Sequence, residues 1–272
     1  MILNGAYIHR RNIAGYTALY LATLKNNINI VRLLLGHGAN INDIGEKHGT
    51  PLHVAAKGGH DDMAEFLLFH GAEIDFKNMD GNSPLYFAMN FPKIMKLLIR
   101  HGANVNDRNN EGFTPLHTAV SKGKEDAVKV LLRNGSDIDA LRTSNFNYQQ
   151  ESSLHMAVRN DDFTMVQLFI HYNANINVKS GLGHTPLVLS ITLNRTKISE
   201  ILIQNGAFID YASAYGSSII DYAIHIGDDK MVQIINANID FDKFRNNFGE
   251  TPLEKTIIMG EIEMTKLIVF HS

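Results

Sequence analysis

The chain has 272 residues, 44% of them hydrophobic and 19% charged, with a net charge of −3 and no cysteine. That excludes a disulfide framework, a thiolate metal site and a cysteine nucleophile, and it offers no basic stripe for nucleic acid. No apolar run approaches the roughly 20 residues of a membrane span, and Met1 to Tyr7 hold no signal-like region, so a cytoplasmic or nuclear protein without membrane contact, and not a secreted one, is expected.

Taken in chain order, the elements repeat. Asn4-Gly5-Ala6-Tyr7-Ile8-His9 aligns with Asn205-Gly206-Ala207-Phe208-Ile209-Asp210, which makes residues 1–11 the tail of a partial copy. Whole copies then begin at Thr17, Thr50, Ser83, Thr114, Ser152, Thr185, Ser218 and Thr251, in steps of 33, 33, 31, 38, 33, 33 and 33 residues. A fixed period of this size is the mark of stacked repeats, and it predicts one array over residues 1–272.

Residues 45–77 show what one copy does. Thr50-Pro51 opens a helix, because the hydroxyl meets free N–H groups and proline has no N–H to waste in the first turn. Five residues after each mark comes a small side chain (Ala22, Ala55, Ala88, Ala119, Ala157, Ala223), which lets neighbouring helices approach. Ser190 and Thr256 depart from this, so looser packing is expected in the sixth and eighth copies. The first helix stops at Asn26, Gly59, Gly123, Asn194, Gly227 or Gly260. A second helix follows, with apolar pairs such as Leu34-Leu35, Leu67-Leu68 and Leu131-Leu132 on a buried stripe. It ends at Gly38, Gly71, Gly102, Gly135 or Gly206, and an alternating string such as Ala103-Asn104-Val105-Asn106 leads through a turn into the next copy.

Thr-Pro-Leu-His, unchanged at 50–53 and 114–117, with the Gly-Ala-x-Ile/Val-Asn/Asp endings, closely resembles the ankyrin repeat over essentially the whole chain. The resemblance implies an all-α repeat solenoid: a right-handed, slightly curved stack of helix-turn-helix units joined by β-hairpin fingers, with fingers and first helices on the concave side. It also implies binding of a protein partner without catalysis or a cofactor, and no small-molecule ligand. Ankyrin repeats as a family undergo asparaginyl hydroxylation at a hairpin position; here Asn42, Asn106 and Asn177 hold it, and Asp75, Asp139, Asp210 and Asp240 hold it elsewhere. The chain closes on Leu267-Ile268-Val269-Phe270-His271-Ser272, like the close of another second helix. Neither end carries a polar capping repeat, so a piece of a longer array is the expectation.

Three copies break the period. The third is two residues short with Pro92 at the start of its second helix, which predicts a shortened turn between the helices. Between the fourth and fifth copies, five extra residues make a longer finger carrying Phe146 and Tyr148. The seventh lacks its closing glycine and is three residues short, and the finger after it, with Phe244 and Phe248, is three longer. A truncated second helix and an aromatic-rich hairpin are expected there.

The chemistry-bearing residues are mostly scaffold. Of 13 histidines, His53, His117 and His155 share one repeat position and His37, His70, His101 and His171 another. Equivalent positions lie about a helix-packing distance apart, roughly 8–10 Å, whereas a zinc ligand sits about 2 Å from the metal; no metal site is expected. Asp61-Asp62, Asp161-Asp162 and Asp228-Asp229 fall at second-helix starts and read as caps. No nucleotide-binding, zinc-protease or serine-hydrolase motif occurs, and Asn194-Arg195-Thr196 is an incidental glycosylation match without a secretory signal.

Partner contacts are therefore sought in side chains the repeat does not need. Fingers supply Tyr16, Lys47, Met79, Glu111, Phe113, Phe146, Tyr148, His184, Tyr215, Phe244 and Phe248, and first helices add Lys57, Asn90, Lys122, Arg159, His225 and Met259. Aromatic residues among polar neighbours anchor many protein interfaces. Residues 1–136 carry 15 Lys and Arg against 12 Asp and Glu, and residues 137–272 carry 10 against 16, so a basic segment would favour the second half. Two further readings stand beside the scaffold: a regulatory adaptor or inhibitor, similar to ankyrin proteins that mask transcription factors or serve ubiquitin ligases, and a substrate of asparaginyl hydroxylation.

Overall fold

A computed structural model of the chain describes residues 7–45, 49–143, 150–209, 219–226, 229–237, 249–260 and 262–271. Among them are sixteen α-helices in consecutive pairs, and the chain divides into two compact units, Met1–Asp137 and Ile138–Ser272. The first unit holds α1 (Ala18–Leu24) with α2 (Ile28–Gly36), α3 (Pro51–Gly58) with α4 (Asp61–Phe69), α5 (Pro84–Phe87) with α6 (Pro92–Arg100), and α7 (Pro115–Ser121) with α8 (Glu125–Arg133). The second holds α9 (Ser153–Arg159) with α10 (Phe163–His171), α11 (Pro186–Thr192) with α12 (Thr196–Gln204), α13 (Ile219–Ile226) with α14 (Asp229–Asn236), and α15 (Pro252–Met259) with α16 (Ile262–His271).

Among the described phase residues, each first helix starts where the residue turns from extended to helical backbone. Thr114, at φ −85° and ψ 167°, accepts from the His117 N–H, and Thr17, Ser152, Thr185 and Thr251 do the same three residues on. The histidine of the phrase completes a capping box, in which the third helical side chain reaches back to the cap's N–H. In the last repeat Glu254 does this work, accepting from Thr251 N–H at 2.7 Å.

Second helices bury a stripe. Met63, Ala64 and Leu67 on α4 and Ala127, Val128 and Leu131 on α8 are wholly enclosed, as are Val166 and Phe169 on α10. Within each unit, successive first helices pack on one another (α1 on α3, α3 on α5, α11 on α13), and so do successive second helices (α4 on α6, α12 on α14). Most of the stability of such a unit comes from these faces, because a single pair buries too little on its own. Second helices end in left-handed glycines, Gly38 and Gly102 among them, with Asn173 at φ 58° taking that place in the fifth copy.

Three expectations need correction. The two residues missing from the third copy come out of its first helix: α5 has one turn and ends at Phe87, and the turn from Ala88 to Phe91 is longer than that between α3 and α4. The cause is Pro92, which fixes where α6 starts and leaves Phe91 extended before it (φ −130°). Ser190 and Thr256 do not loosen their copies. Both are fully buried, and their hydroxyls donate to the Leu187 and Leu253 carbonyls, with Ser190 also paired to Ser199 at 2.7 Å. Of the acidic pairs, Asp162 caps α10 by accepting from Met165 N–H. Asp61 and Asp62 instead follow the cap residue His60 into the first turn, where they face the helix dipole and Asp61 also pairs with Lys93 at 3.6 Å.

The fingers contain single antiparallel bridges, Gly45 to Gly49 and Leu141 to Ser152, and no longer strand occurs among the described residues. In the seventh copy α14 spans eight residues against nine in α12, a truncation of one residue. The finger after it lies outside the described residues, as does the tip of the inserted finger between the fourth and fifth copies.

Candidate protein-binding surface

The finger tips are locked by their own side chains. Asn109 Oδ1 accepts from Glu111 N–H at 3.1 Å and Phe113 N–H at 2.9 Å, and Asn109 N–H donates to the Phe113 carbonyl at 3.0 Å. Asn12 and Asn78 build the same turn, and Ser180 Oγ takes the role before His184. The turn requires a left-handed residue just before its last position, and Gly81 (φ 76°) and Gly112 (φ 76°) supply it. A β-carbon on Gly81 would come within 2.7 Å of the Asn110 backbone nitrogen, so the approach of the next finger also demands glycine. Tyr16, Phe113 and His184 all occupy the residue after that glycine and are presented by a turn with little freedom.

The structure gathers several of the sought residues into two hollows of the first unit. Phe113, Glu111 and Lys122 line a pocket of about 240 Å³ together with Tyr86, Phe87 and Thr118. Tyr86 forms its floor and donates its hydroxyl to the Asp107 and Phe113 carbonyls, each at 2.7 Å; burial pushes its phenol pKa up. Phe113 meets His117 edge-on at 6.0 Å. Tyr16 and Lys57 line a second pocket of about 360 Å³ with Tyr20, Leu24, His53 and Val54. There Tyr16 lies flat on Tyr20, with centroids 4.4 Å apart and planes 5° apart. Each hollow is lined by a finger aromatic and by a lysine from the end of a first helix.

In the second unit, His184 faces Tyr222 edge-on at 6.4 Å, and its carbonyl accepts from His155 Nε2 at 2.9 Å. Arg159 donates to both Glu151 carboxylate oxygens, from Nε to Oε2 at 3.2 Å and from Nη2 to Oε1. Burial, then the Arg159 charge, lowers the His184 pKa. Met79 and Glu111 stand exposed at their tips, Glu111 at the rim of the first hollow. Lys47, Phe146, Tyr148, Tyr215, Phe244 and Phe248 lie outside the described residues.

The finger asparagines clamp neighbouring repeats. Asn106 Oδ1 accepts from Asp137 N–H at 2.8 Å and its Nδ2 donates to the Gly135 carbonyl at 3.1 Å. Asn177 does likewise with Phe208 and Gly206, and Asn42 accepts from Glu73 N–H while donating to its carboxylate. Asp75 and Asp139 keep only the accepting half, toward Asn104 and Asn175 N–H. Replacing Asn106 by alanine is expected to lower unfolding free energy by about 1 kcal/mol, and by aspartate less, because an exposed hydrogen bond is worth about that much; urea denaturation of the two variants checks the order.

Sequence reasoning missed Tyr86 and Phe87 as lining residues, because their pattern is that of any apolar first-helix position. It also missed the tip asparagines, although Asn78 and Asn109, each three residues before a glycine, were a readable signal for a side-chain-capped turn.

Paired short helices, joined by fingers whose tips are locked by side chains, define a helical-repeat scaffold. The chain belongs to the ankyrin-repeat family. A family model described as ankyrin repeats (3 copies) matches residues 1–78, 72–142 and 154–245, and one described as ankyrin repeats (many copies) matches residues 116–170. Among curated proteins, the B-cell lymphoma 3 protein homolog of Mus musculus is 34% identical over 203 residues, covering 71% of this chain and 44% of that protein. Protein phosphatase 1 regulatory subunit 27 of Homo sapiens is 37% identical over 87 residues, covering 29% and 56%. Transient receptor potential cation channel subfamily A member 1 of Homo sapiens is 27% identical over 176 residues, covering 62% and 16%. The chain thus spans less than two thirds of each of these relatives. Among solved structures, the ankyrin repeat domain of Bcl-3 matches with a TM-score of 0.74 and 24% identity, covering 81% of this chain and 98% of that one. That of human ASB11 matches at 0.60 and 22%, covering 82% and 98%. These two likenesses concern the fold. Among the described residues no helix is long and apolar enough to cross a membrane.

Proposed function

We propose that the chain is a non-enzymatic scaffold that holds a protein partner along its fingers and first helices. The observation that carries this reading is the repeated hollow in which a finger aromatic stands beside a first-helix lysine, Phe113 with Lys122 and Tyr16 with Lys57. Each hollow is about the size of one large side chain, so an extended segment would place anchors one repeat or more apart. The preformed tips spare the ordering cost that flexible loops incur on binding. The second unit, richer in acidic residues, suits a basic stretch of the same partner. Likeness to a protein named as a phosphatase regulatory subunit and to B-cell lymphoma 3 protein favours a regulatory adaptor as the form this binding takes.

Affinity capture from cells of the source organism, with the wild type, a Tyr16→Ala/Phe113→Ala double variant and a Phe69→Ser control, tests the surface. Phe69 is exposed on a second helix, away from both hollows. The double variant is expected to lose its partner by about 2 kcal/mol or more, and the control to keep it at equal thermal stability. A partner lost by the control and kept by the double variant would move the interface to the second helices.

A further inference from the structure

The two hollows of the first unit stand at a fixed separation. One lies between α1 and α3, lined by Tyr16, Tyr20 and Lys57, and the other between α5 and α7, lined by Tyr86, Phe113 and Lys122. In the intervening cleft, Phe87 of α5 meets His53 of α3 edge-on at 5.4 Å. The hollows are therefore two repeats apart. Neighbouring helices pack about 8–10 Å apart, which sets the hollows roughly 16–20 Å from one another. An extended chain advances about 3.3 Å per residue and turns alternate side chains to the same face. Six residues, roughly 20 Å, is the even step that spans this gap, and five would turn the second side chain away.

Charge on the helix side of the hollows has one sign. Residues 17–27, 50–60, 83–92 and 114–124 hold the first helices and the turns after them; they carry Lys25, Lys57, Lys122 and Lys124 and no Asp or Glu. Lys57 and Lys122 are exposed, and neither has an ion-pair partner among the described residues. Carboxylates stand on the fingers instead, as Glu111 does at the rim of the α5–α7 hollow. An acidic group is thus drawn to the helix ends and repelled from that tip.

We propose that the two hollows take an acidic, extended segment of a protein partner, with aromatic side chains six residues apart and a carboxylate two residues from each. This rests on the reading of the fingers and first helices as the partner-holding surface, and it names the segment held there. Each aromatic side chain enters a hollow beside Tyr20 or Tyr86. The carboxylate, on the same face of the segment, pairs with Lys57 or Lys122.

Fluorescence anisotropy of dye-labelled peptides with the 272-residue chain tests this. The probe carries two phenylalanines six residues apart and a glutamate two residues to either side of each, with serine and threonine elsewhere. Three comparison peptides replace every glutamate by glutamine, replace every glutamate by lysine, or set the phenylalanines five residues apart. The probe is expected to bind about tenfold or more tightly than the glutamine and five-residue versions, and more weakly at high salt. Lys57→Glu/Lys122→Glu and Tyr16→Ala/Phe113→Ala variants are each expected to weaken the probe by about tenfold or more while melting like the wild type. Should either variant melt early, the comparison peptides on the wild type decide. A probe that the wild type does not bind overturns the proposal, as does a glutamine version that binds equally well, which marks a neutral occupant. A lysine version that binds more tightly and is released by Tyr16→Ala/Phe113→Ala marks a basic occupant and overturns it too. The broader reading stands apart from these results, because it fails only when the Tyr16→Ala/Phe113→Ala variant keeps its cellular partner.

Discussion

Replacing His53 by alanine is expected to lower the unfolding free energy by about 3 kcal/mol, a loss read by urea denaturation. The ring is buried to 1% exposure and ties three groups. Its Nδ1 accepts from Thr50 N–H at 3.0 Å and lies 2.9 Å from the Thr50 hydroxyl, so the ring proton sits on Nε2 and donates to the Asn82 carbonyl at 3.0 Å. One imidazole therefore caps α3 and pins the finger of the next repeat. Alanine leaves the Thr50 N–H and the Asn82 carbonyl without these partners and opens a void between α3 and α5. A cost near 1 kcal/mol, that of a helix cap alone, would mean that the bond to Asn82 adds nothing.

Acid should remove stability through the same residue. Burial lowers the His53 pKa to about 4, outweighing the backbone bonds that favour the cation, and a proton on Nδ1 would point at the Thr50 N–H. The unfolded chain takes up this proton below about pH 6.5, the folded chain only near pH 4. Between those values the unfolded state binds more protons, so stability falls as pH drops, by about 3 kcal/mol for this histidine across the window. His155, buried against the His184 carbonyl, is lowered in the same direction and adds to the slope. Asp75, raised by burial, acts oppositely as it protonates. Unfolding free energies of the wild type and His53→Gln, measured from neutral pH to about pH 4.5, isolate the term: the variant should lose distinctly less. Equal slopes would assign the acid sensitivity to other groups.

Much of this molecule was legible because its local chemistry and its packing use the same residues. Thr17, Thr114, Ser152, Thr185 and Thr251 cap the helices they were expected to open, while Ser83 makes no such bond, and the glycines at 38, 71, 102, 135 and 206 all adopt the left-handed backbone that ends a helix. The third repeat was misjudged because helix length there is decided by competition. Pro92 holds α6 in register with α4 and α8, and α5 yields turns to satisfy it. Ser190 was misjudged because its hydroxyl finds Ser199, nine residues away and one helix across, a pairing that no spacing rule announces.

The order of residues alone dictated the period, the helix ends and the class of fold, since each rests on contacts within about four positions along the chain. The second nitrogen of His53, the stacking of Tyr16 on Tyr20, the clamp from Asn106 to the next finger and the floor that Tyr86 lays beneath Phe113 depended on folding. All but the tyrosine stack reach across to the neighbouring repeat, and the stack belongs to a hollow that the next repeat's His53 and Lys57 complete. Such distances become short only when repeats stack, which is why the hollows became visible only in three dimensions.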